Sequence, residues 1–192
     1  MADYLGITEK IDKFARKNVS ESRYEHSVRT AKMCARLCRL YGLDESKGYL
    51  AGIAHDMCKN LSEEKMIYYA SKDGHKISEL EMKKTALLHG RAAAVMLRAD
   101  FGISDEDILQ AVAVHTFGQK GMCSLAKCLY IADKIEPGRE HVTDEYLERL
   151  FKLSLDKMLL TVLNESVEYL GAKGKKVAPE TQELIGSLNE KN

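Results

Sequence analysis

Three places in this chain carry side chains that bind metals or protons among apolar neighbours. "GYLAGIAHD" is small and apolar up to Ile53 and Ala54, then ends in His55 and Asp56. "CLYIAD" is another apolar run, ending in Asp133. His26 lies inside an amphipathic stretch, next to apolar positions. Polar and charged groups buried in this way are costly unless something pairs with them. Taken singly, each has an ordinary explanation. A buried histidine is more often a hydrogen-bonded core residue, and an aspartate after an apolar run often caps a helix. Four together point to one object that satisfies them all. A metal ion is such an object, because it turns costly groups into ligands. Imidazole plus carboxylate suits iron, manganese, nickel, cobalt or zinc, and spacing does not choose among them.

The elements that must hold these residues read as helices. Apolar residues recur at helical spacing almost everywhere, and no segment alternates long enough for a strand. In "SRYEHSVRTAKMCARLCRLYG", Val28, Ala31, Ala35 and Cys38 form one stripe, with Ser22 and Glu25 as a capping box and Gly42 at the end. Further helices are expected from Asp44 to about Asp56, from Ser62 to about Lys72, and after a second capping box at Ser78 and Glu81. Others are expected from Ser104 to near His115, over 123–135, over 143–170, and from Pro179 onward. The expectation is a single all-α domain over 1–192, a bundle of about eight to ten helices with short loops.

Composition narrows the function classes. The 192 residues are 45% apolar and 30% charged, with 29 basic and 29 acidic side chains. Net charge is zero, so nothing global favours nucleic acid or an anionic membrane, and any anion site must be locally positive. No apolar run approaches the length of a membrane span, and "MADYLGITEKIDKF" lacks a signal-peptide core. A cytoplasmic location is the expectation. The five cysteines fit it as reduced core thiols. A homodimer stays open, since an apolar stripe can face a partner as well as a core.

The order His26, His55–Asp56, Asp133, with His89 in "LLHGRAA" and His115 in "AVHTFG" between them, resembles the HD-domain metal-dependent phosphohydrolases. The strings "RYEHS", "AHDMCK", "LLHG", "HTFGQKGM" and "LYIADKIEPGR" resemble the YqeK-type symmetrical bis(5'-nucleosyl)-tetraphosphatases. The likeness spans Arg23 to Arg139 and, more loosely, the tail near "VAPET". One departure is Phe117, which stands where a small polar residue is expected. The resemblance implies a single HD-type helical domain acting on diadenosine tetraphosphate, cut in the middle to two ADP. It implies iron as the metal, with ADP or GDP as a product-like ligand.

On this reading His26, His55, Asp56 and Asp133 hold the metal, which lowers the pKa of a bound water for attack on phosphorus. Asp56, Lys59, His89 and His115 are the expected catalytic residues. Arg23, Lys59, His89, His115, Thr116, Asp133 and Arg139 are expected to face the substrate. Arginine forks suit phosphate, and Lys59 lies one turn from His55 and Asp56. His89 and His115 are expected to bind phosphate or protonate the leaving group, or else to hold a second ion. His115 closes a helix, where the macrodipole favours its cation. His75 and His141 lie in polar turns and carry no expected role. The segment 171–192, with its loop "GAKGKKVAPET", is expected to close over the nucleotide. Alternatives are another HD nucleotide phosphohydrolase (a nucleoside 5'-phosphatase, a cyclic-nucleotide phosphodiesterase or a ppGpp hydrolase) and a non-catalytic HD sensor module.

Overall fold

A computed structural model describes residues 4–190, and every regular element among them is helical. The order is α1 (Leu5–Asn18), α2 (Glu21–Leu40), α3 (Glu45–Ala54), α4 (Glu63–Ala70), α5 (Glu79–Lys83) and a 3₁₀ turn (Thr85–Leu88). It continues with α6 (His89–Phe101), α7 (Glu106–Val114), α8 (Ser124–Ile135), α9 (Asp144–Leu150), α10 (Leu155–Ala172) and α11 (Pro179–Asn189). The all-α expectation holds, with a helix count slightly above the expected range.

Several helix ends differ from the sequence expectation for local reasons. The cap of α2 is Ser20, whose hydroxyl accepts the Arg23 N–H, and not Ser22. At α7 the cap is Asp105, which accepts the N–H groups of Asp107 and Ile108, and not Ser104. Asp44 caps α3 as expected, but the helix stops at Ala54. His55 and Asp56 therefore lie in the turns that follow it. The expected helix over 143–170 is two helices, because Ser154 takes an extended conformation and starts α10 afresh. The second capping box is present in full, with Ser78 and Glu81 each bonding the other's backbone N–H.

The core is built around α2, packed on α3 and α8. Glycine makes the closest approach possible. A Cβ on Gly52 would lie 2.4 Å from the Ala31 Cα, so only glycine lets α3 press its backbone against α2. That contact brings the end of α3, carrying His55, close to the start of α2, carrying His26. Leu37, Leu50, Ile53, Leu129 and Ile131 fill the space between, all fully buried. Each contributes roughly 1.5–3 kcal/mol by leaving water. The five cysteines are unpaired, and four are buried, as expected of core thiols.

Candidate metal centre

His26 comes from α2, His55 and Asp56 from the turn after α3, His89 from the first residue of α6, His115 from the end of α7, and Asp133 from α8. All six are buried. The imidazoles run edge to face in a chain, His26–His55–His115–His89, with ring centres 5.2, 5.0 and 4.8 Å apart.

Backbone geometry fixes which nitrogen of each ring faces inward. His55 Nδ1 is 2.7 Å from the Gly52 carbonyl oxygen, His89 Nδ1 is 2.7 Å from that of Ala86, and His115 Nδ1 is 2.7 Å from that of Val112. A carbonyl can only accept, so in all three rings Nδ1 carries the proton. The Nε2 lone pairs are left pointing into the cluster. His26 follows the same logic with a different partner, its Nδ1 lying 3.2 Å from Glu136 Oε1.

Those lone pairs converge on two carboxylates that are also acceptors. Asp56 Oδ1 is 3.0 Å from His89 Nε2 and 3.9 Å from His115 Nε2. Asp56 Oδ2 is 3.6 Å from His55 Nε2 and 4.0 Å from His26 Nε2. Asp133 Oδ1 is 3.0 Å from His26 Nε2 and 3.9 Å from His55 Nε2. His89 and His115 bring their Nε2 atoms within 2.9 Å of each other. The Nε2 atoms of His26 and His55 are buried and make no hydrogen bond among the described residues. Buried acceptors facing acceptors are costly, and a cation among them removes that cost. His26, His55 and Asp56 form one three-donor group, and Asp56, His89 and His115 another, with Asp56 shared. This donor set fits a divalent metal.

The electrostatics agree. Burial alone would raise the Asp56 carboxyl, but His55 and His89 hold it well below its ordinary value. Burial likewise opposes ionisation of Asp133, and Lys134 and His26 more than offset it. Burial lowers the His55 pKa despite both aspartates. His115 is pushed well below its ordinary value by burial and by His89 and His55. The helix-dipole expectation for a cationic His115 is thus overridden, and a neutral ring suits a ligand.

Four cations, each partly open to solvent, rim the cluster. Arg23 donates to Asp56 Oδ2 at 2.8 Å, and Lys59 Nζ lies 3.2 Å from His89 Nε2 and 3.9 Å from Asp56 Oδ1. Burial lowers the Lys59 pKa, against the pull of Asp56. Arg139 grips Asp133 through its side chain and its backbone carbonyl. Lys134 sits 2.5 Å from Asp133 Oδ2.

The structure therefore brings together Arg23, His26, His55, Asp56, Lys59, His89, His115, Asp133 and Arg139. Thr116 follows His115 with a buried hydroxyl that has no partner among the described residues. His75 and His141 are exposed and lie outside the cluster. Sequence reasoning missed Lys134, Arg29 and Glu136. The available signal for Glu136 was its type: an acid directly after the buried Ile135, in "KIEPG".

Residues 23–138 match the HD domain family model, and the chain belongs to the HD-domain family. Within it the chain is similar to the symmetrical bis(5'-nucleosyl)-tetraphosphatase of Staphylococcus aureus, 33% identical over 183 residues and 94% of each chain. It is also similar to the protein of that name from Bacillus subtilis, 30% identical over 166 residues, 86% of this chain and 89% of the relative. A solved structure from Clostridium acetobutylicum, described as a predicted HD superfamily hydrolase involved in NAD metabolism, covers all of both chains at 33% identity with a TM-score of 0.87.

Proposed function

We propose that this chain is a divalent-metal hydrolase that cleaves dinucleoside tetraphosphates, diadenosine tetraphosphate first among them, symmetrically into two nucleoside diphosphates. The observation that carries the reading is the convergence of four imidazole Nε2 atoms on two carboxylates, rimmed by four cations. The likeness to tetraphosphatases over nearly the whole chain supports the substrate class. His26, His55, Asp56 and Asp133 hold the ion, and iron is our assignment. When bound, the ion supplies Lewis acidity toward a phosphoryl oxygen and toward water.

The chain's own residues do the rest. Arg23, Lys59, Lys134 and Arg139 neutralise the polyphosphate and the charge that gathers on its oxygens during transfer. The leaving group is a nucleoside diphosphate, which departs as an anion, so neutralisation is the main demand. Lys59 is a proton-bearing group that reaches both sides of the cluster, 3.2 Å from His89 Nε2 and 3.9 Å from Asp56 Oδ1. His89 and His115 border the same space and contact phosphate there, or hold a second ion with Asp56 Oδ1. Thr116, the residue after His115, is assigned to the substrate side with it. The segment 171–192, whose last two residues lie outside the described ones, closes over the nucleotide. Its support is that Thr181 Oγ1 donates to the Phe117 carbonyl at 2.7 Å, anchoring α11 beside His115 and Thr116, with exposed Lys173, Lys175 and Lys176 in the preceding loop. No helix of the described chain is long and apolar enough to cross a membrane. We place the enzyme in the cytoplasm, as a monomer or homodimer, with ADP or GDP as product.

The test is product analysis. Diadenosine tetraphosphate should yield two ADP, faster than AMP or a cyclic nucleotide is hydrolysed. ATP plus AMP as products, or faster cleavage of the mononucleotides, would overturn the reading.

A further inference from the structure

Three of the four clustered histidines are oriented by a backbone carbonyl three residues earlier: Gly52 for His55, Ala86 for His89 and Val112 for His115. His26 alone depends on a side chain, and that side chain is 110 positions away. Its partner, Glu136, is only 2% exposed. Both carboxylate oxygens of Glu136 are engaged. Oε1 lies 3.2 Å from His26 Nδ1, and Oε2 accepts from Arg29 Nε at 2.6 Å and from the Gly138 N–H at 2.6 Å.

Gly138 is part of the arrangement. A Cβ there would lie 2.4 Å from Arg29 Nε and 2.6 Å from its Cζ, so any other residue would push the guanidinium off Glu136. The turn "EPG" thus provides the carboxylate, one of its donors and the room for the other. Glu136 also follows Asp133 by three residues, so the end of α8 delivers one candidate ligand and the orienter of another.

A carboxylate behind a ligating imidazole fixes the ring's tautomer and raises its donor strength, and loss of such a partner typically weakens metal binding 10–100-fold. We infer that Glu136, held by Arg29 and Gly138, is the positioning residue that makes His26 an Nε2 ligand, so that metal retention rests on this one buried carboxylate. The inference rests on the metal-centre reading above.

The test is Co(II) titration of the metal-stripped full chain, followed by the cobalt visible bands and by competition with a chelator. Glu136→Ala should weaken Co(II) binding by up to about 100-fold. Glu136→Gln keeps the volume and one acceptor but turns an amide toward Arg29 or His26, and should lose about tenfold. In proton NMR of the Co(II) form, the shifted, exchangeable Nδ1–H resonance of His26 should vanish in Glu136→Ala. That of His55, bonded to the Gly52 carbonyl, should persist. General destabilisation would not remove one resonance and spare the other. If Glu136→Ala fails to fold, Glu136→Gln carries the test alone. Unchanged Co(II) affinity in the folded variant, with the His26 resonance still protected, overturns this inference and leaves the metal centre standing. A parent protein that takes up no Co(II) overturns both.

Discussion

Two charge clusters in this molecule, one partly buried and one buried, are built on opposite principles. In one, Arg91 binds both oxygens of Asp73 at 2.9 and 2.6 Å and both oxygens of Glu81 at 2.9 and 3.1 Å. It also donates to the His75 carbonyl, while Glu81 Oε2 accepts from the Ser78 N–H and hydroxyl. Donors and acceptors match, and the guanidinium serves as the cluster's own cation. In the other, imidazole lone pairs and the Asp56 and Asp133 carboxylates face each other, and the Arg and Lys cations stand at the rim. The first is complete and ties the 73–81 segment to α6. The second leaves the Nε2 atoms of His26 and His55 without a hydrogen-bond partner among the described residues, and a cation entering between them and the carboxylates would supply one. A buried charge cluster that lacks its own central cation is a candidate site, whereas one that contains it is a brace.

The largest expected effect breaks the incomplete cluster. Asp133→Ala removes a carboxylate that faces His26 and His55 and anchors Lys134 and Arg139. Hydrolysis of diadenosine tetraphosphate should fall by more than the roughly 100-fold that even an outer partner can cost, and purified protein should lose its metal. Elemental analysis and product release measure the two. A variant that keeps its metal would remove Asp133 from the ligand set. Chelation of the parent should raise hydrogen exchange first at residues 55–60, whose turn then holds unpaired acceptors.

The brace should answer differently. Arg91→Ala leaves Asp73 and Glu81 partly buried without their cation, which costs about 3 kcal/mol. Melting should drop by about 6–12 °C, with metal content unchanged in the folded protein. Loss of metal alongside stability would show that the two clusters are one cooperative unit.

The contrast also explains what was legible beforehand. His55, Asp56 and Asp133 stood out because each ends an apolar run, and His26 because it interrupts an apolar face. The helices were legible from their period and from side-chain caps such as Asp44 and Ser78. Glu136 and Arg29 were not, because an acid before Pro-Gly reads as a helix end and an arginine in a helix reads as surface. Only tertiary packing turns them toward His26. The break between α9 and α10 was hidden because Leu150, Phe151, Leu153 and Leu155 continue an apolar pattern through it, without glycine or proline.

A smaller effect comes from pH. Burial alone would raise the Asp73 and Glu81 carboxyls, but Arg91 and donated N–H groups hold both below their ordinary values. Folded values below unfolded ones mean stability fully present above about pH 4–5 and lost as pH falls through the folded values. The acid limb of a stability–pH curve should therefore flatten in Arg91→Ala relative to the parent. Parallel acid limbs would assign acid sensitivity to other groups, the metal cluster first.

The smallest effect probes a contact that belongs to neither cluster but lies beside one. Thr181 donates to the Phe117 carbonyl, and Leu184 covers Gly118, where a Cβ would come within 2.6 Å of it. Thr181→Val keeps the shape and loses about 1 kcal/mol of hydrogen bonding, or about 2–4 °C in melting temperature. The bond lies outside the metal cluster, so metal content and kcat should hold. If α11 and its lysine loop close over the nucleotide, loosening their anchor raises KM for the dinucleotide, by up to about fivefold for the full 1 kcal/mol. Lower melting temperature with unchanged KM would make α11 a brace like Arg91, and would remove the C-terminal segment from the substrate site.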